Sequence, residues 1–181
     1  GIFSNEAGLG SAPIAHAAAD TDNAVKQGLF GIFEVFADTI VICTMTALTI
    51  LMSGVGIVWG ENADAALSIS AFSTIFNAKA ASVIVAFALA LFAFTTILSW
   101  NLYGSRCMEF LFGEKASIVY KILFLPMLVI GAAMELSLAW EIADTLNGMM
   151  AIPNLVALIL LSGVVAKETK AYFSQLKEKK R

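Results

Sequence analysis

Charge is what this sequence has least of. Lys, Arg, Asp and Glu together make up 14% of its 181 residues against 59% hydrophobic residues, and the mean hydropathy is +0.84. So little charge cannot solvate a globular surface, and the apolar runs are longer than a soluble core helix needs. The chain therefore reads as an integral membrane protein. It has one His, and neither His-Glu-x-x-His, Gly-x-Ser-x-Gly nor a phosphate loop. Those absences remove the usual starting points of metal, serine and nucleotide chemistry, and set aside an intramembrane hydrolase. The net charge is −3 and the basic residues are not interleaved with aromatics, so a nucleic-acid groove is excluded. Cys43 and Cys107 lie far apart in or beside apolar runs, supporting neither a disulfide nor a metal site. No internal repeat is present, and no cofactor is implied.

What the sequence does have is concentrated at its start. Gly1-Ile2-Phe3-Ser4-Asn5-Glu6-Ala7-Gly8-Leu9-Gly10-Ser11-Ala12-Pro13 crowds three glycines, a proline and several polar groups beside membrane-grade sequence. A continuous helix is disfavoured there, since Gly costs about 1 kcal/mol per interior position and Pro about 3, whereas Pro13 can open a helix at no loss. Free backbone groups at membrane depth are tolerated only in a protein interior or along a cavity, so the stretch reads as a broken helix lining a binding site, of the kind secondary transporters use. A Gly-rich loop between spans is the alternative reading of the same residues. The chain opens without Met or signal peptide, already inside this stretch, and reads as the C-terminal portion of a longer protein.

In chain order, a half helix over 1–19 is closed by Asp20-Thr21-Asp22-Asn23, where Asp22 or Asn23 caps the next helix. Spans are expected over about 24–53, 80–103, 118–134 and 138–165, making a transmembrane region of 1–166 followed by a basic tail, 167–181. Gly54 and Gly56 end the first of these spans, and its Thr39, Cys43, Thr46 and Ser53 form a polar stripe facing protein. Glu34 pairs locally with Lys26 or water near the headgroups; for the deeper Asp38, functional and packing roles both stay open. After a connector with Trp59, Glu61 and Asp64, residues 66–76 form an interfacial or re-entrant piece too short to cross. Thr96 and Trp100, four apart, share a helix face, where a hydroxyl and an indole could hold a small polar ligand. Backbone bonding by the threonine and interface anchoring by the tryptophan are the other roles open to them. Pro126 is a kink in the fourth element, and Pro153 sits in the fifth, whose first half carries Glu141, Asp144 and Asn147 and whose second half reads as featureless Leu, Ile, Val and Ala.

Orientation follows from the basic residues. Lys26, Arg106, Lys115, Lys121 and the tail lysines fall on one side, whereas loops 54–77 and 135–144 contain none. The positive-inside rule then puts the C-terminus in the cytoplasm, with the tail near anionic lipid or solvated.

The opening string, together with Lys26-Gln27-Gly28, Asp38-Thr39, Cys43-Thr44, Phe92-Ala93-Phe94-Thr95-Thr96-Ile97-Leu98 and Ala143-Asp144…Asn147-Gly148…Met150-Ala151, resembles the sodium:alanine or glycine symporter family over nearly the whole chain. The resemblance implies an all-α integral membrane fold, the second inverted repeat of a leucine-transporter-like architecture, made of a broken half helix plus four spans. It implies sodium-coupled symport of alanine or glycine across the cell membrane by a multi-pass protein. Phe3, Ser4, Asn5, Gly8, Thr96 and Trp100 would then bind substrate, and Thr95 and Thr96 would bind sodium, with the remaining ligands on an N-terminal half that this chain lacks. His16 departs from the small residue expected at its position, which reads as a tolerated surface change and leaves a pH dependence of gating open. The rival reading is a non-transporting membrane scaffold or assembly subunit, whose polar stripes serve packing alone.

Overall fold

The structure, a computed structural model, describes residues 6, 8–58 and 65–179. Among these residues it is all helical, and four helices are long and apolar enough to cross a membrane. Helix α1 spans Ala12–His16, α2 spans Ala24–Met52, α3 spans Ala65–Ser73, α4 spans Ala78–Phe112, α5 spans Glu114–Ala133 and α6 spans Leu136–Lys179. The connector residues Trp59, Glu61 and Asp64 lie outside the described residues.

Side-chain caps start two of these helices where the sequence supplies them. Asn23 Oδ1 accepts from the backbone N–H groups of Val25 (2.8 Å) and Lys26 (3.3 Å), so Asn23 rather than Asp22 is the cap of α2. Asn77 Oδ1 does the same for α4, accepting from Ala80 N–H at 2.8 Å. Helix α2 stops where Ser53 N–H bonds Thr49 O (3.1 Å) and Gly54 turns to φ +72°, a left-handed conformation natural to a glycine just past a helix end.

Helix α2 is not uniform. Phe36–Ile42 winds as a π-helix, with Cys43 N–H reaching back five residues to Asp38 O. A segment of π spacing rotates everything after it relative to an ideal α-helix. Asp38 and Thr39 lie within it, so the polar stripe drawn at α-helical spacing from Thr39 through Ser53 does not run straight. Thr46 and Ser53 donate their hydroxyls to their own helix, to Ile42 O (3.0 Å) and Ile50 O (2.7 Å), which satisfies them without any partner helix.

The chain divides into two compact units. One is Val35–Trp100; the other comprises the described residues up to Glu34 and those from Asn101 onward. In the first, Cys43–Met52 packs against α3, and the buried apolar residues, Ala71 and Ala81, are small. In the second, α4 turns into α5 at Gly113 (φ +86°), and the buried residues of these two helices there, Ser105 and Ser117, are small. Small side chains let helix backbones approach closely where lipid offers no hydrophobic drive to pair. Large apolar residues such as Phe33, Phe87, Ile122, Val129, Ile159 and Leu160 are exposed, as a lipid-facing surface requires.

Gly104 belongs to the same tight contact. A Cβ at Gly104 would run into the Tyr120 hydroxyl and the ring carbon bearing it. Gly104→Ala is therefore expected to destabilise the α4–α5 hairpin by about 1–3 kcal/mol. The variant should melt several degrees lower in detergent, and adding Tyr120→Leu should recover part of the loss. An unchanged melting temperature would show that the contact is not tight.

Helices α4 and α6 exceed what crossing requires. At about 1.5 Å per residue their 35 and 44 residues reach about 52 and 66 Å, against a hydrocarbon core of about 30 Å. Helix α6 runs on through Lys167, Lys170 and Lys177, residues the sequence assigns to a basic tail.

Candidate functional site

The opening stretch has a defined backbone where it is described. Glu6, Gly8 and Gly10 have φ of +49°, +86° and +85°, and a right-handed helix cannot pass through such residues. Leu9 N–H closes a turn onto Glu6 O at 3.0 Å, and the Ser11 hydroxyl, on a residue 1% exposed, donates to the Glu6 carboxylate. Helical bonding resumes with Ile14 N–H to Ser11 O (2.9 Å), and Pro13 lies in the first turn of α1, where its missing N–H costs nothing.

A residue that the sequence reading passed over holds this segment from afar. Asn154, on α6 next to Pro153, donates its Nδ2–H to Gly8 O at 2.9 Å across 146 residues of sequence. It also lies under Gly10, where an added Cβ would be 2.8 Å from Asn154 Oδ1 and 3.0 Å from its Cγ. The half of α6 read as featureless thus carries the side chain that contacts the break. Of the expected substrate ligands, Gly8 takes part in this arrangement, whereas Phe3, Ser4 and Asn5 lie outside the described residues.

The other expected cluster lies on α4, in the first unit. Thr95 Oγ1 and Thr96 Oγ1 both donate to Phe92 O, each at 2.9 Å, and Ser99 Oγ donates to Thr95 O at 3.0 Å. Both threonines are exposed and Trp100 is half-buried one turn on. With both hydroxyl protons committed to one carbonyl, the threonine oxygens keep lone pairs for an acceptor role. A hard cation that binds through neutral oxygens needs just that. Among the described residues, no group of three or more His, Cys, Asp or Glu could hold a metal ion.

His16 ties α1 to α2. Gln27 Nε2 lies 2.9 Å from His16 Nδ1, and the other ring nitrogen, Nε2, faces Glu34 Oε2 at 3.4 Å. Gly31 makes room for the ring, since a Cβ there would be 3.3 Å from His16 Nε2. Glu34 thus meets His16 rather than Lys26, and the half-buried His16 imidazole joins two helices.

Comparison with known proteins adds what geometry alone does not. The model of the family described as the sodium:alanine symporter family matches residues 1–181. The chain is 48% identical over 172 residues to the sodium/alanine symporter AgcS of Methanococcus maripaludis, covering 95% of this chain and 38% of that protein. It is 46% identical over 179 residues to an uncharacterized transporter of Haemophilus influenzae (98% and 39%). With the probable sodium/glutamine symporter GlnT of Bacillus subtilis it shares 43% identity over 178 residues (98% and 37%). The chain thus spans about two-fifths of the length of these relatives, and an end-to-end family match is not itself support for a missing N-terminal half. No solved structure matches.

Proposed function

The chain belongs to the sodium:alanine symporter family, a family of transporters and not of enzymes, and on that premise we propose that it acts in sodium-coupled symport of a small neutral amino acid, alanine or glycine, across the cell membrane. The feature of the structure that best supports this reading is the Thr95–Thr96 pair sharing the Phe92 carbonyl. Two oxygens so arranged suit sodium, and Thr96 and Trp100 at helical spacing suit the amino acid beside it. Phe3, Ser4, Asn5 and Gly8 would complete the substrate site, with backbone carbonyls and N–H groups of the break meeting the zwitterion. We take the leucine-transporter-like inverted repeat as the architecture and the cytoplasm as the side of the C-terminus.

Coupling then needs no further chemistry. Sodium and substrate favour the same conformation, each raises the other's affinity, and rocking of one repeat against the other exposes the site alternately. The scaffold reading loses ground because the matched relatives are named as transporters.

A matched pair of variants tests the site. Thr46 Oγ1 also donates to its own helix, to Ile42 O at 3.0 Å, so Thr46→Ala loses the same local bond as Thr96→Ala but on another helix. In vesicles of the full-length protein, Thr96→Ala is expected to lower sodium-driven alanine uptake by about tenfold, roughly the worth of one polar contact, and Thr46→Ala to leave it nearly unchanged. Equal effects would remove Thr96 from the site.

A further inference from the structure

We infer that Asn154 is a positioning residue for the substrate site: its amide clamps the unwound segment at Gly8 and Gly10 and so sets the backbone groups that meet the amino acid. The inference rests on the proposed transport function for its consequence, but the clamp itself stands on geometry. Three observations carry it. Asn154 Nδ2 donates to Gly8 O at 2.9 Å, which occupies a carbonyl that the break leaves without a helical partner. The rest of the same side chain fills the space beside Gly10, so closely that no Cβ fits there without movement. And Asn154 immediately follows Pro153, whose ring removes one backbone donor from α6.

The placement has a mechanical meaning. With φ of +86° and +85°, Gly8 and Gly10 are the joints of the segment, and glycine joints have little intrinsic preference for one conformation. Local bonds, Leu9 N–H to Glu6 O and the Ser11 hydroxyl to the Glu6 carboxylate, close the turn upon itself. Asn154 reaches this turn from another helix and hydrogen-bonds it. Binding to a turn that is already fixed avoids the entropy of ordering it, so the clamp should act on substrate affinity more than on the rate of the conformational cycle.

Two measurements on the full-length protein test this separately. The first does not involve substrate: thermal melts of wild type, Asn154→Ala, Gly10→Ala and the double variant in detergent. Contact between the two positions predicts non-additivity. Asn154→Ala should cost less in the Gly10→Ala background than in wild type, because it removes the clash as well as the bond. Additive shifts would overturn the clamp. The second is alanine uptake by Asn154→Leu, which keeps the bulk and loses the donor, and by Asn154→His, whose Nδ1–H can restore one. Asn154→Leu is expected to raise the KM for alanine roughly five- to tenfold, with the maximal rate per transporter within about twofold of wild type and Asn154→His between the two. A fall in maximal rate at unchanged KM would overturn the positioning role. Coupled melts in a wild-type protein that moves no alanine would support the clamp while refuting the transport reading on which its consequence rests.

Discussion

Gly10→Val is expected to cut amino-acid uptake by about thirtyfold to a few thousandfold at unchanged membrane expression. Two separate costs combine at this one position. A β-branched residue at φ +85° meets the left-handed penalty of about 1–2 kcal/mol, and its Cβ meets Asn154 Oδ1 at 2.8 Å, an overpacking cost of about 1–3 kcal/mol. At about 1.4 kcal/mol per factor of ten, the sum would displace the turn from nearly all molecules. Gly8 supplies the control: its φ is +86°, yet a Cβ there would have nothing within 4 Å. Gly8→Ala should therefore meet the conformational cost without a clash against Asn154, roughly a tenfold loss of uptake. Uptake per surface-labelled transporter checks the order. Gly8→Ala as severe as Gly10→Val would show that backbone strain alone governs the segment and that the neighbour on α6 is irrelevant.

Thr95→Val/Thr96→Val is expected to raise the sodium concentration for half-maximal uptake by more than about tenfold. Valine keeps the branched shape at both positions and removes the two oxygens whose protons now go to Phe92 O. The KM for alanine should also rise at fixed sodium, because binding free energies of coupled ligands are reciprocal, and should recover as sodium increases. Titrating sodium at several alanine concentrations measures both. A double variant with wild-type sodium dependence would mean that these hydroxyls serve their own helix alone.

The membrane class was legible because it depends on composition: apolar runs of spanning length and scarce charge leave few alternatives. Asn23 could be read as a cap because its partners lie within three residues of it. Non-helical backbone ahead of Pro13 is legible too, from glycines and a proline beside polar groups. The structure adds φ values to it and a brace between Ser11 and Glu6. What sequence periodicity could not give was anything that depends on distance along the chain or on a change of helical pitch. Asn154 sits among Leu, Ile, Val and Ala, and its significance comes from a partner 146 residues away. The π-helical Phe36–Ile42 leaves composition untouched while rotating the residues after it, so a stripe counted at a fixed period from Thr39 loses its alignment. The contacts of His16 are hidden for a related reason: its partners Gln27 and Glu34 lie on the next helix.

Sodium-coupled transport is tested by uptake of labelled alanine into vesicles containing the full-length protein, under an inward sodium gradient and under an equal choline gradient. Accumulation is expected with sodium and not with choline, competed away by unlabelled alanine or glycine and much less by glutamine, the larger amino acid for which a relative is named. Uptake that is equal under both gradients, or absent under both with the protein folded and inserted, would contradict sodium-coupled transport.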